Sequence, residues 1–167
     1  MSELLIGCGQ RREKLMGVGP WRDLTTLDNV AEHEPDVLWN LNEYPWPFED
    51  NTFDEVHAYE VLEHLGQQGD AVSFFATFSE IWRVLKRNGR LMATCPAPGS
   101  PWVWGDPSHT RQISPESLVF LSQRQYREQV GVTPMSDFRH IYKANFEPAW
   151  IDVRNDTFAF SLRAIKE

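Results

Sequence analysis

The 167-residue sequence has only two cysteines, Cys8 and Cys95, and no long apolar run. Two isolated thiols supply neither a disulfide framework nor the four ligands of a zinc ribbon, so a reducing, cytoplasmic location is expected. No apolar stretch approaches the roughly 20 residues that cross a bilayer, and no charged-then-apolar leader precedes the first predicted strand. These absences predict one domain over residues 1–167, with no membrane partner.

Basic residues are also scarce, because 16 Lys and Arg stand against 24 Asp and Glu and give a formal net charge of −8. Proteins that bind nucleic acid through its phosphates usually carry a basic stripe. Here the basic residues form only short clusters, at 11–14 and 86–87. Duplex DNA or long RNA is therefore a disfavoured partner, and a small molecule, a nucleotide or a protein fits the charge better.

The sequence does contain a series of short strand-like segments. Five of them lie at 4–6, 23–28, 36–39, 53–59 and 90–95, and two more close the chain at 149–153 and 158–165. From Asp70 to Asn88 apolar residues recur at helical spacing, and Gly89 is expected to end that helix. We predict an α/β fold with a mostly parallel, Rossmann-like sheet and a closing antiparallel strand pair.

The first half of this predicted sheet leaves little room for helices. Only 18 residues separate Gly9 from Asp28, and seven lie between Asp28 and Asp36. We therefore expect reduced helices in the N-terminal half and an exposed sheet face, which weakly suggests a homodimer. In the last third, one helix is expected from Ser114 to Tyr126, with Ser114 as its cap.

Small or polar residues follow the first three predicted strands where each ends. A Gly-Cys-Gly turn occupies 7–9, Asp28 ends the second strand, and Asn40 follows the third. Ligands of open parallel sheets bind beyond the carboxyl ends of the strands. A carboxylate about 20 residues after the glycine turn can accept the hydroxyl protons of a ribose. The pattern indicates a nucleotide-like ligand.

The order of these segments resembles a known family. LLIGCG at 4–9, LDNV at 27–30, NLNEYPWPFEDNTFDEVHAYEVLEHL at 40–65 and EIWRVLKRNGRLMATCPAP at 80–98 are similar to class I S-adenosylmethionine-dependent methyltransferases, particularly the type 11 group. The similarity covers about residues 3–98 and implies the class I sheet, S-adenosylmethionine as cofactor, and methyl transfer. The segment WGDPSHTR at 104–111 is similar to small methyltransferase-like proteins of tailed phages.

Carried over position by position, the resemblance implies a cofactor site. The residues it places against S-adenosylmethionine are Gly7, Cys8, Gly9, Asp28, Asn40, Leu41, Tyr59 and Glu60. Within this set the glycines would face the methionine part, Asp28 the ribose, and Asn40 with Leu41 the adenine. Two positions depart from the family pattern: Leu5 replaces a common acidic residue, and Arg11 replaces a third glycine. Both departures put the binding of the amino-acid end of the cofactor in question.

A second set of residues suggests a metal site. Glu60, Glu63 and His64 stand at i, i+3 and i+4, so on a helix they would share one face and could meet a divalent cation. His109 follows the fifth strand and could reach the same cleft. The run is similar to the magnesium sites of small-RNA 3′-end 2′-O-methyltransferases and of ubiquinone-pathway O-methyltransferases, which implies Mg or Mn bound to acceptor hydroxyls. The alternative is that the glutamate caps a helix and His64 packs under the sheet.

A second interpretation of His109 is that it acts as a general base oriented by Asp106. We predict catalytic roles for His109, Glu60, Asp106 and Arg111, with methylation at a hydroxyl, or less readily at a nitrogen, of a small polar acceptor. The alternative for His109 is a loop residue that closes a proline-rich turn.

Three rival functions stay open. The first is a binding module that keeps the cofactor fold but transfers nothing, and the missing helices, Leu5 and Arg11 favour it. The second is an enzyme that modifies a nucleotide or a nucleic-acid end, which the acidic charge disfavours. The third is a nicotinamide dehydrogenase, which is disfavoured because the G-x-G-x-x-G spacing and the following helix are missing.

Overall fold

The computed structural model describes residues 1–167, which form one seven-stranded sheet with few helices. The strands are β1 (Glu3–Ile6), β2 (Leu24–Asp28), β3 (Val37–Leu38), β4 (Phe53–Tyr59), β5 (Leu85–Pro96), β6 (Phe146–Arg154) and β7 (Thr157–Ala164). The helices are α1 (Ala71–Val84), α2 (Trp102–Gly105), α3 (Pro115–Val119) and α4 (Gln123–Gln129). No helix of the protein is long and apolar enough to cross a membrane.

The strand order is β3-β2-β1-β4-β5-β7-β6. Strands β1 to β5 pair in parallel, whereas β7 lies antiparallel between β5 and β6. This arrangement confirms the predicted mostly parallel α/β sheet and its antiparallel C-terminal pair. The carboxyl ends of β1, β2 and β3 meet at one edge, which is where a ligand is expected.

The two faces of the central strands differ because side chains alternate along a strand. Leu4 and Ile6 of β1 belong to the apolar core, together with Val56 and Ala58 of β4. Helix α1 packs on this face through its buried residues Phe75, Phe78, Ile81 and Val84.

Helix α1 begins as predicted but ends earlier. Asp70 caps it by accepting a hydrogen bond from the Ser73 N–H at 3.1 Å. The predicted helix end at Gly89 was wrong, because Leu85 already pairs with Phe53 as the first residue of β5. Residues 88–89 instead form an irregularity within β5, with Asn88 at φ 61°. Pairing with β4 therefore outweighs the local helical pattern.

The helix predicted from Ser114 to Tyr126 is two short helices, α3 and α4. Ser114 caps α3 as expected, by accepting from the Ser117 N–H. Ser122 then begins α4 by accepting from the Gln125 N–H. A second serine cap inside the predicted helix explains the break, because a capping residue adopts non-helical backbone angles.

No helix joins β1 to β2, and only a 3-10 turn at Ala31–His33 separates β2 from β3.

The second face of the sheet carries a polar cluster that we call the loop anchor: Glu3, Lys14, Glu55 and His57. The Lys14 Nζ lies 2.6 Å from Glu3 Oε1 and 3.5 Å from Glu55 Oε2. The segment before β2 thus covers this face, where Glu3 and His57 are fully buried. The exposed face on which the homodimer prediction rested is absent, and the dimer itself stays a prediction.

Candidate active site

A cavity of about 600 Å³ opens at the carboxyl ends of β1, β2 and β3. Its volume lies within the range of typical small-molecule sites. Five of the predicted cofactor-binding residues line it, namely Gly7, Gly9, Asp28, Asn40 and Leu41. The further lining residues are Asn29, Val30, His33, Trp39, Asn42, Val61, His64, Leu65 and Ser108. The structure therefore brings the three predicted strand ends together, while the roles of these residues stay predictions.

Gly7 shows why the turn after β1 needs glycine. Its φ is +58°, in the left-handed region, and a Cβ there would lie 2.3 Å from Cγ2 of Val61. A larger residue at this position would displace Val61, which itself lines the cavity. Gly9 also has a positive φ, but a Cβ at Gly9 would meet nothing within 4 Å. The backbone of the turn is thus open to a ligand at Gly9.

Asp28 is held firmly at the end of β2. Its Oδ2 accepts a hydrogen bond from the Gly9 N–H at 2.8 Å, and its Oδ1 accepts from the Val30 N–H at 2.9 Å. The His33 Nδ1 lies 3.2 Å from Oδ2. Burial acts to raise the pKa of Asp28, but these partners outweigh it and keep the pKa below its usual value. Asp28 is therefore a preoriented carboxylate in the cavity wall.

Cys8, Tyr59 and Glu60 do not line the cavity. Cys8 is buried. The Tyr59 hydroxyl accepts from the Met16 N–H at 3.1 Å and lies 2.6 Å from His57 Nδ1, so this side chain belongs with the loop anchor. Glu60 is exposed. Of the lining residues that we did not predict, four lie within two residues of a predicted cofactor-binding residue that lines the cavity, which is the signal that could have found them: Asn29, Val30, Trp39 and Asn42.

Beside the cavity lie three groups of a type that binds metals, which we call the Glu63 cluster: Glu63, His64 and His109. One ligand atom from each lies within 4.8 Å of the others. The His109 Nε2 is 3.9 Å from Glu63 Oε1, and the two imidazole rings are 4.7 Å apart. His64 also lines the cavity, so the cluster borders the predicted cofactor site.

The predicted helix face that joined Glu60 to this cluster was wrong. Only Leu62–His64 forms a short 3-10 turn, and Glu60 precedes it with φ 53°. The left-handed backbone of Glu60 ends any helical continuity with Glu63. Glu60 is accordingly not one of the three residues whose ligand atoms converge.

Backbone hydrogen bonds bring His109 to Glu63. The N–H groups of Thr110 and Arg111 both donate to the Glu63 carbonyl, at 2.9 and 3.1 Å. Sequence spacing gives no signal for this contact, because more than 40 residues separate the two segments.

The hydrogen bonds around the two imidazoles assign their tautomers. His109 Nδ1 lies 3.1 Å from the carbonyl oxygen of Val103, which can only accept. Ser108 Oγ donates to Asp106 Oδ1 at 2.5 Å, so it accepts from His64 Nδ1 at 3.2 Å. Both rings therefore carry the proton on Nδ1 and leave Nε2 as an acceptor.

This network changes the predicted role of Asp106. We expected this carboxylate to orient His109, but its Oδ2 lies 4.0 Å from His109 Nε2. The Val103 carbonyl orients His109 instead. Asp106 acts on His64 through Ser108.

Glu63 is the least satisfied group in the site. Its exposed fraction is 2%, and neither carboxylate oxygen accepts a hydrogen bond. Burial, together with repulsion from Glu60, raises the pKa of Glu63 to about 8. Facing the Nε2 of His109, such a group is suited to take up a proton or to bind a cation.

Arg111, the remaining predicted catalytic residue, does not line the cofactor cavity. Its Nη2 donates to the Gln67 carbonyl at 2.8 Å and to Ser73 Oγ at 2.7 Å, near the start of α1. The guanidinium is therefore held near the start of α1 and not at the predicted cofactor site.

Comparisons with known proteins agree with this architecture. A family model described as a methyltransferase domain matches residues 4–93. A comparison with curated proteins gave no match.

Solved structures share the fold at low sequence identity. A SAM-dependent methyltransferase from Archaeoglobus fulgidus is 17% identical with a TM-score of 0.58, covering 97% of this chain and 86% of its own. The N-methyltransferase NodS from Bradyrhizobium japonicum, in complex with S-adenosyl-L-homocysteine, is 13% identical with a TM-score of 0.58, covering 99% and 78%. A putative methyltransferase from Haloferax volcanii, in complex with the Trm112 activator, is 14% identical with a TM-score of 0.60, covering 99% and 83%.

Proposed function

The chain belongs to the methyltransferase domain family and is an S-adenosylmethionine-dependent methyltransferase, and we propose that its acceptor is a hydroxyl of a small polar molecule. The observation that carries the proposal is the Glu63 carboxylate, which is buried and unpartnered at the border of the cofactor cavity. A hydroxyl must lose its proton when it is methylated, whereas Asp28 and His33 in the cavity wall already contact each other. The Glu63 cluster supplies the missing proton acceptor.

The cavity suits the cofactor in three respects. Its volume is sufficient, the Gly9 backbone is open, and Asp28 presents a fixed carboxylate at the ribose position implied by the family. When bound, S-adenosylmethionine supplies a methyl group on a positively charged sulfur, which an acceptor oxygen attacks while the carbon–sulfur bond breaks. The protein's own contribution is to hold the two partners in line and to exclude water.

The proton of the acceptor hydroxyl goes to His109 or Glu63. His109 is prepared for this step because Val103 binds its Nδ1 proton and leaves Nε2 as an acceptor. Glu63 Oε1 lies 3.9 Å from that nitrogen, and above its raised pKa the negative charge of Glu63 stabilises the imidazolium that forms.

A divalent cation is the second way in which the cluster can activate a hydroxyl. Glu63 Oε, His64 Nε2 and His109 Nε2 would hold Mg or Mn, and the ion would lower the pKa of a hydroxyl that approaches it. The free carboxylate and the two unprotonated nitrogens fit this use.

We also propose a cytoplasmic location, because Cys8 and Cys95 are both free thiols.

Titration calorimetry of metal-stripped protein with S-adenosylhomocysteine tests the cofactor part. We expect binding in the micromolar range, and no binding would overturn the proposal in favour of a module that transfers nothing.

Repeating the titration with Mg or Mn in the wild type, Glu63→Gln and Glu13→Gln tests whether the Glu63 cluster binds metal. Glu13 is exposed and is the matched control. A metal heat lost only in Glu63→Gln supports the metal route.

The proton route is tested by turnover, measured with labelled cofactor and a panel of phenols and alcohols. His109→Ala is expected to lower turnover by about 100-fold or more while S-adenosylhomocysteine affinity is unchanged. Unchanged turnover in His109→Ala would remove His109 from the mechanism. Transfer to amines but to no hydroxyl in the panel would contradict the proposed acceptor class.

A further inference from the structure

A second cavity, of about 290 Å³, lies at the beginning of α1 and takes no part in the cofactor site. Arg111 lines it together with four aromatic residues, which are Phe74, Phe75, Phe120 and Phe138. The Arg111 guanidinium carbon is 5.4 Å from the centre of the Phe74 ring. The cavity thus combines an apolar wall with one cationic residue, Arg111, and one acidic residue, Asp70.

Arg111 makes no direct ion pair, although its Nη2 donates to the Gln67 and Asp70 carbonyls and to Ser73 Oγ. Its exposed fraction is 5%, and the Asp70 carboxylate acts on its charge only from a distance. The Nε is buried without a hydrogen bond, and Nη1 donates none. Asp70 is the nearby acidic residue, but its Oδ1 caps α1 through the Ser73 N–H. Leaving a guanidinium buried and unpaired is costly, so an anion at this position would be favourable.

Arg83, which is only partly buried, shows how an arginine is paired elsewhere in this protein. Arg83 lies within 2.7 Å of Asp50 and donates to Glu80 as well, so its charge is compensated twice. The lack of an ion pair is therefore not common to the arginines of this protein. It is found at Arg111, which borders the aromatic cavity.

The approach of Arg111 to α1 also requires a special backbone. A Cβ at Gly66 would lie 2.6 Å from the Arg111 Nη2 and 2.3 Å from Ser73 Oγ, and the φ of Gly66 is +68°. The positive end of the 14-residue helix α1 meets the same cavity at Gly69 and Asp70. The Asp70 carboxylate caps this helix end and offsets its positive potential, so Arg111 is the one cationic side chain at the cavity.

The cavity and the Glu63 cluster share one segment of chain. The Arg111 N–H donates to the Glu63 carbonyl at 3.1 Å, and His109 precedes it by two residues. We propose that this cavity binds the carboxylate end of an acid with an aromatic or alkyl body, with Arg111 as the anion-binding residue. This binding site is independent of the function proposed above, because no residue lines both cavities.

The test compares three ligands of nearly equal shape on the full-length protein. They are 4-hydroxyphenylacetate, its neutral amide 4-hydroxyphenylacetamide, and the cationic amine tyramine, each titrated by calorimetry. We expect the acid to bind at least about 10-fold more tightly than the amide, and tyramine not to bind. Equal binding of acid and amide would overturn the proposal.

Two variants locate the site. Arg111→Gln should abolish the preference for the acid, whereas Arg139→Gln, at an exposed arginine paired with Asp137, should keep it. Because Arg111→Gln could unfold the segment, Ala71→Phe serves as a second variant that fills the cavity and leaves Arg111 intact. Persistence of acid binding in Ala71→Phe would equally overturn the proposal. Titration of the same samples with S-adenosylhomocysteine separates the two proposals, since its failure alone contradicts only the proposed function.

Discussion

The protein has two clusters of acidic and histidine side chains, the loop anchor on the second face of the sheet and the Glu63 cluster beside the cavity. Distances alone do not distinguish them. In the loop anchor, Glu3, Glu55 and His57 bring their ligand-type atoms within 4.8 Å of one another. The Glu63 cluster meets the same condition. Both clusters therefore resemble a metal site when only distances are considered.

Their partners are what differ. Lys14 is in ion-pair contact with Glu3 and Glu55, and the second Glu3 oxygen accepts from the Arg22 N–H at 2.8 Å. Glu63 has no such cation and no hydrogen bond. A cluster whose charges are completed by the protein stabilises the fold, whereas one that is left incomplete is suited to an external proton, ion or substrate.

The largest expected effect follows from breaking the loop anchor. Lys14→Met leaves Glu3 and Glu55 without their cation, and Glu3 is fully buried. We expect a loss of about 3 kcal/mol in the free energy of unfolding, measured by urea denaturation. Lys143→Met, at an exposed lysine, should change it by less than about 0.5 kcal/mol. A small effect of Lys14→Met would show that this anchor is dispensable.

The pH dependence of stability comes next in size. Burial lowers the pKa of His57 to about 4, whereas the unfolded chain binds that proton near pH 6.5. The unfolded state therefore binds more protons between these values, and stability is lost as the pH falls below 6.5. At 1.36 kcal/mol per unit, the His57 contribution to the loss by pH 5 is about 2 kcal/mol.

His57→Gln isolates this contribution because glutamine does not titrate. Urea unfolding of wild type and variant at pH 7 and pH 5 should show a smaller decrease for the variant. Identical decreases in both proteins would mean that another group controls the acid sensitivity.

Much of the fold could be predicted from local signals. Residue patterns located all seven strands, and the caps at Asp70 and Ser114 began their helices as expected. One error came from long-range pairing, because Leu85 joins β4 while its local pattern is still helical. Another came from a local cap, because Ser122 divides the helix predicted from Ser114 to Tyr126. Insertion of Lys14 between two carboxylates has no sequence signature either, because Glu3 and Glu55 become neighbours only through the pairing of β1 with β4.

The candidate site was also only partly predictable from the sequence. Gly7, Gly9, Asp28 and Asn40 were predictable because strand ends of a parallel sheet converge. The helical spacing predicted for Glu60 and Glu63 was wrong, because the backbone turns left-handed at Glu60. A metal-binding role for Glu60 stays a prediction.

A substitution next to the Glu63 cluster tests whether a neighbouring side chain orients one of its possible metal ligands. Ser108→Ala removes the link between Asp106 and His64 that fixes the His64 tautomer. If the Glu63 cluster binds Mn, its affinity should fall about 10-fold, as is usual for losing a group that orients a ligand. Calorimetry with Mn measures this, and Ser100→Ala is the control. Equal affinities would show that the serine does not orient His64.

The smallest expected effect has the opposite sign to the first. Glu63→Met replaces a buried, unpartnered carboxyl by an apolar side chain of similar length, so in metal-free protein it should raise the free energy of unfolding by about 1 kcal/mol. Glu3→Met, the same substitution in the loop anchor, removes a partnered carboxylate and should lower it. Urea unfolding of both variants at one pH gives the comparison directly. If both variants lose stability, Glu63 is a structural residue, and the case for the Glu63 cluster as the reaction centre fails with it.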